Sequence, residues 1–92
     1  MTRYEVLVSQ TAAKELQALE ENLQARIKEK LRELAEDPRN SSGRLDVKKL
    51  SATTRHYYRL RVGEYRIIFF TEKKSIKVVR IASRADVYSW LD

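Results

Sequence analysis

Ninety-two residues, a formal net charge of +6 and no cysteine leave room for one domain over 1–92 with one modest core, and exclude disulfides and thiolate metal sites. No apolar run approaches the ~18 residues of a membrane span, and the opening MTRYEVLVSQ alternates and carries charge, unlike a signal peptide; a cytoplasmic protein without membrane contact is the expectation. Residues 1–43 hold seven basic and eight acidic side chains, whereas 44–84 hold twelve basic and three acidic ones, an asymmetry that points to an anionic partner, most often nucleic acid, against the plainer reading of a basic surface kept for solubility.

Along the chain, YEVLV (Tyr4 to Val8) is short and rich in strand-favouring residues, and predicts a first strand. Ser9 or Thr11 can cap the helix that follows, where Ala12, Leu16 and Leu19 recur at helical spacing. A tight helix-to-helix turn is expected around Glu20 to Asn22. From Leu23, the residues Leu23, Ile27, Leu31 and Leu34 line one face of a second helix, which Pro38 stops. DPRNSSGR is a loop too short to link domains, and it coincides with the change in charge. LDVKKL reads as a brief extended segment before a second loop, SATTR. Three strands follow at Tyr57–Val62, Tyr65–Thr71 and Ile76–Ser83, joined by a Gly63-Glu64 hairpin turn and by EKKS. The closing RADVYSWLD suits a short helical turn or an extended tail docked by Val87, Tyr88 and Trp90. The order β-α-α-β-β-β predicts an α+β fold: two N-terminal helices packed on one face of an antiparallel sheet, with the other face open.

Alternation assigns Tyr58, Leu60 and Val62 to the helix side, and Tyr57, Arg59 and Arg61 to the open side. Arg66 is the sole charge of its strand, and IIFF reads as a central strand covered in part on both faces. In the last strand, Val79 and Ile81 suit the core, which puts Val78 and Arg80 with the arginines. Arg59, Arg61, Arg66 and Arg80 would then stand together, with Lys48, Lys49, Arg55 and Arg84 on loops nearby. No carboxylate is expected among these outward positions. A solvated sheet face is the alternative, but clustered like charges repel, and arginine binds phosphate bidentately.

RNA can be cleaved by attack of its own 2′-hydroxyl on the neighbouring phosphate, a reaction that needs cations, a base and an acid. Cations are plentiful here and proton carriers are few. His56 is the only histidine, and an ordinary exposed histidine is its plainer reading. Tyr57 and Tyr88 are candidates that serve equally as stacking platforms or core edges. Arginine keeps its proton, so Arg59 and Arg61 make poor bases. No metal-ligand cluster, nucleophile elbow or phosphate-cradling glycine loop is present. The residues alone reach a basic α+β domain that binds RNA or DNA.

The ordered set DVKKL, HYYRLRVGEYRIIFF and VVRIASRADVY resembles the RelE/ParE superfamily of bacterial and archaeal toxins along nearly the whole chain. For the RelE branch, the resemblance implies a microbial-ribonuclease-like fold and no cofactor. It also implies cleavage of mRNA in the ribosomal A site, and inhibition by a RelB-like antitoxin wrapped around the toxin. The free toxin would be a monomer, and its complex with antitoxin a higher-order assembly. The resemblance assigns the catalytic positions to Arg59, Arg61, Arg66, Arg84 and Tyr88, with Arg80 as an alternative to Arg84. RNA contacts would fall to Lys48, Lys49, Arg55 and Arg80. Relatives can carry lysine at the first two positions, so arginine there leaves the general base open. The ParE branch, whose members poison DNA gyrase without nuclease residues, is the alternative, and an inactive relative that retains antitoxin binding is a third.

Overall fold

The computed structural model describes residues 3–50 and 56–91, with side chains in the C-terminal helix described as far as Val87. β1 (Glu5–Val8) is followed by α1 (Gln10–Gln17), α2 (Glu21–Glu36), β2 (Val47–Lys49), β3 (Tyr58–Val62), β4 (Tyr65–Glu72), β5 (Ser75–Ser83) and α3 (Arg84–Leu91). The SATTR loop, Arg55 included, lies outside the described residues. The strands form one mixed sheet in the order β1-β5-β4-β3-β2. β2 to β5 are antiparallel neighbours, and β1 joins β5 in parallel. The two-layer α+β architecture agrees with the sequence reading.

Local chemistry accounts for the boundaries. Ser9 rather than Thr11 caps α1: its hydroxyl accepts from the Ala12 N–H at 3.0 Å, satisfying one of the helix's free donors. The break between the helices falls at 18–20, earlier than expected, and α2 starts at Glu21. Gln24 reaches back from the first turn of α2 and donates its Nε2 to the carbonyl of Leu19 at 2.7 Å, which closes the turn from the helix side. α2 ends at Glu36, ahead of Pro38 as predicted. Gly63 takes φ +59 and Lys73 φ +55, so both hairpins turn through a left-handed residue, one of them a glycine, which adopts it without strain.

The core lies between the helices and the sheet. Ala12, Leu16, Ile27, Leu31, Leu34 and Ala35 meet Leu60, Val62, Ile67, Phe69, Ile76, Val78 and Ile81. Each large apolar side chain fully withdrawn from water there contributes about 1.5–3 kcal/mol, which decides the face on which α1 and α2 sit.

Three expectations about the opposite face need correction. It is not open along its length, because α3 folds back on it and buries Val87 against Ile68 and Ala82, with Leu50, Tyr57 and Val79 alongside. The alternation assumed for β5 fails. The register shifts between Ile68 and Phe69, which pair with Arg80 and Val78 respectively, leaving Val79 as the extra residue of a bulge. Val78 is therefore in the main core and Val79 on the α3 side, the reverse of the prediction; one inserted residue exchanges the faces of its neighbours. Carboxylates also do meet the arginines, as described next.

Candidate functional site

Side chains opposite one another on paired strands share a face, so the register sets out the basic residues in two rows on the α3 side. Arg61 lies opposite Arg66, which lies opposite Ala82. Lys48 lies opposite Arg59, which lies opposite Ile68. Like charges directly across a ladder destabilise it, and the Arg61–Arg66 pair stands next to the Gly63 turn. There the two guanidinium groups converge on one acceptor. Arg66 Nη1 donates to the Gly63 carbonyl at 3.0 Å, and Arg61 Nε approaches the same oxygen at 3.4 Å.

Arg66 is the only charged residue among the buried ones described, at 6% exposure. Its Nη1 also donates to the Tyr65 carbonyl at 3.2 Å, but its Nε is buried without a partner. Among the described residues no carboxylate pairs with it. A buried cation without a counter-ion carries a desolvation penalty of several kcal/mol, which an anion arriving at the site would offset. Arg84 opens α3 in an exposed position, and its main-chain N–H donates to the Glu64 carbonyl at 3.0 Å. The β3–β4 turn and the start of α3 are thereby joined, with Arg61, Arg66 and Arg84 at one end of the sheet.

Arg59 is held differently. Its Nη2 meets Asp46 Oδ1 at 3.1 Å, while Arg61 Nη1 stands 3.8 Å from Asp46 Oδ2. Asp46 owes its position to the preceding loop. Asn40, at φ +51, clamps both main-chain polar groups of Leu45: its Nδ2 donates to the carbonyl at 2.6 Å and its Oδ1 accepts from the N–H at 3.1 Å. Leu45 is then buried in the core, and Asp46 emerges just before β2, where its carbonyl accepts from the Arg61 N–H at 2.9 Å.

Arg80 is engaged away from this group. Its Nε lies 3.0 Å and its Nη2 2.9 Å from Glu15 Oε2, on α1. The other oxygen of Glu15 accepts from the Ile81 N–H at 2.9 Å. Ser9 donates its N–H to the Val78 carbonyl and its hydroxyl to that of Val79, at 2.9 and 3.1 Å. The bulge in β5 is thus secured by α1; Arg80, opposite Ile68, continues the Arg59 row on the α3 side, but its guanidinium is drawn off to Glu15.

Of the remaining candidates, Lys48 and Lys49 are exposed on the edge strand β2, and His56 is exposed just before β3. Tyr57 is half-buried beside the α3 contact. Tyr88 lies on α3, with its side chain outside the described set. Among the described residues, no three His, Cys, Asp or Glu side chains gather as metal ligands, and no helix is long and apolar enough to cross a membrane. The sequence reading missed Asp46 and Glu15. Asp46 was visible as the one acid in LDVKKL, whereas nothing local in the sequence links Glu15 to Arg80, 65 positions away.

The arrangement offers fixed, forked donors to a phosphate, and known proteins of the same fold bear on it. The crystal structure of an archaeal RelE–RelB complex from Pyrococcus horikoshii OT3 matches with a TM-score of 0.75 at 32% identity, over 91% of this chain and 97% of that one. The RelB–RelE antitoxin–toxin complex from Methanococcus jannaschii matches with a TM-score of 0.73 at 30% identity, over 94% and 99%. A double arginine-to-alanine mutant of the E. coli toxin RelE, in the free state, matches with a TM-score of 0.71 at 26% identity, over 98% and 95%. No curated protein matches in sequence. The family model of the ParE toxin of the type II toxin–antitoxin system parDE matches residues 6–88. By that match and by its likeness to the RelE structures, the chain belongs to the RelE/ParE superfamily of type II toxin–antitoxin toxins.

Proposed function

We propose that this toxin is a ribosome-dependent endoribonuclease that cuts mRNA in the A site and so arrests translation. The observation that carries the reading is Arg66, buried, without a counter-ion among the described residues and sharing the Gly63 carbonyl with Arg61; the identity to RelE toxins supports RNA as the anion. In the proposed reaction the 2′-oxygen of one nucleotide attacks the adjacent phosphorus, and the bond to the 5′-oxygen of the next nucleotide breaks. The products are a 2′,3′-cyclic phosphate and a free 5′-hydroxyl. Arg61 and Arg66 bind the scissile phosphate, and their donors meet the charge that builds on its oxygens.

Arg59, braced on Asp46, contributes field more than contact, and Arg84 closes the site from the α3 side. Tyr88 stacks on a base or takes the hydroxyl proton. Arginines at 59 and 61 serve as cations and not as bases, so much of the rate comes from orientation of the mRNA by the ribosome. Lys48 and Lys49 extend the RNA-binding edge. A RelB-like antitoxin, the partner in the archaeal complexes, inhibits the toxin in the cytoplasm, and the free toxin is monomeric.

The ParE family model supports a second reading, a gyrase poison. Parallel assays of cell-free translation and gyrase supercoiling separate the two. Arrested translation with supercoiling intact is the expected result, and the opposite pattern would favour the gyrase reading.

A further inference from the structure

The Gly63 turn is approached from the helix layer as well as from the sheet. A Cβ built on Gly63 would lie 3.9 Å from Nη2 and 4.0 Å from Nη1 of Arg26, so the Arg26 guanidinium, extended from α2, rests over the turn. Its residue is exposed, and among the described residues it has no ion pair. Arg61 and Arg66 reach the same glycine through its carbonyl. Three guanidinium groups from three elements thus meet at one residue. Glu64, the carboxylate of the turn, is exposed and pairs with none of them among the described residues. Helix surfaces usually direct an arginine to a carboxylate one turn away, and Glu29 and Lys30 on α2 leave Arg26 unpaired.

We infer that Arg26 is a further RNA-contacting residue, which holds a second phosphate of the strand bound by Arg61 and Arg66 as it passes over the hairpin tip. The inference rests on the reading of the arginine face as an RNA site. It makes the tip of the β3–β4 hairpin, and not the sheet face alone, the centre of the interface. The turn's need for glycine comes from its φ of +59; a Cβ there would only touch the Arg26 guanidinium at ordinary contact distance.

The test is the affinity of the purified toxin for ribosomes programmed with an mRNA whose A-site nucleotides are 2′-deoxy and cannot be cut, measured from 50 to 200 mM KCl at fixed magnesium. Removing one cation that neutralises a phosphate flattens the slope of log K against log salt by about 0.7–1. Arg26→Ala and Arg61→Ala are each expected to flatten it by that amount. Arg32→Ala, an equal loss of charge on α2 beside the groove against β1, is expected to leave it unchanged. Arg26→Lys, which keeps the charge, is expected to keep the slope. If Arg26→Ala behaves as Arg32→Ala while Arg61→Ala flattens the slope, Arg26 has no such role and the RNA site stands. If the unmodified toxin shows no salt-dependent binding, or Arg61→Ala changes nothing, the RNA site and the role of Arg26 fall together.

Discussion

Arg66 occupies a place in the fold where stability and function make opposite demands. Its guanidinium is buried with an unpartnered Nε, and replacing a buried charge by an apolar side chain of similar length is often neutral or stabilising. Arg66→Met is therefore expected to hold or raise the unfolding free energy measured in urea, by up to about 2 kcal/mol, while abolishing RNA cleavage; a loss of similar size would make the arginine structural. Asp46 is the counterpart on the surface. It occupies Arg59 and Arg61 with a carboxylate that an incoming phosphate must displace. The exposed pair with Arg61 contributes only about 0–1 kcal/mol to folding, but the Arg59 side chain is 12% exposed. Asp46→Asn, which keeps an acceptor, is therefore expected to cost about 1–2 kcal/mol and to tighten ribosome binding severalfold. Weaker binding in a titration would show that Asp46 serves to orient the arginines. Asp46 and the arginines were all visible in the sequence; their pairing was not, because it depends on Asn40 clamping Leu45 and so fixing where Asp46 emerges.

At the scale of elements, patterns that repeat locally were legible. The α2 stripe, a cap at Ser9 or Thr11, both hairpin turns and an extended segment within LDVKKL follow from spacing and turn chemistry, and the structure has them, with the cap on Ser9 and the strand at Val47–Lys49. The faces of Val78 and Val79 were not legible, because VVRIAS fits either parity and the bulge is held by Glu15 from a distant helix; Arg80 keeps the expected side, opposite Ile68. Glu15→Ala strands the Ile81 N–H and leaves Arg80, 22% exposed in its side chain, without this carboxylate. A destabilisation of about 2 kcal/mol in urea unfolding is expected, with a smaller loss for Glu15→Gln, which keeps an acceptor for Ile81. Equal stability of Glu15→Ala and the parent would show that Glu15 does not anchor the bulge. The loop after α2 carries a pH dependence of its own. Hydrogen bonds from the Ser42 N–H and hydroxyl, and then from the Ser41 N–H, hold the Asp37 carboxyl below its ordinary value of 3.8. A lowered folded value means that its contribution is present above the ordinary carboxylate range and is lost as pH falls through the lowered value. An NMR titration is expected to show the Asp37 carboxyl changing below the ordinary range, with the Ser41 and Ser42 amide signals moving at the same pH. A midpoint at or above 3.8 would contradict this.

For the whole molecule, the division of charge along the sequence becomes a division in space. Most of the positive excess lies within residues 44–84, and three of its arginines, Arg61, Arg66 and Arg84, gather at the Gly63 end of the sheet. The overall fold was readable from the ordered motifs, since two amphipathic helices and a strand meander have few ways to bury their apolar sides. A helical turn at RADVYSWLD and docking through Val87 were both among the alternatives read from the sequence; that this covers the second face, with Val87 meeting Ile68 and Ala82, was not, because those partners come from distant strands. If the arginine end of this sheet cuts mRNA on the ribosome, primer extension on mRNA bound to purified, start-codon-programmed ribosomes will reveal it. The expected result is a new 3′ end within the A-site codon that appears only with the toxin and is lost in Arg61→Ala. No cut at any A-site codon, with toxin equimolar to ribosomes, would rule the nuclease reading out.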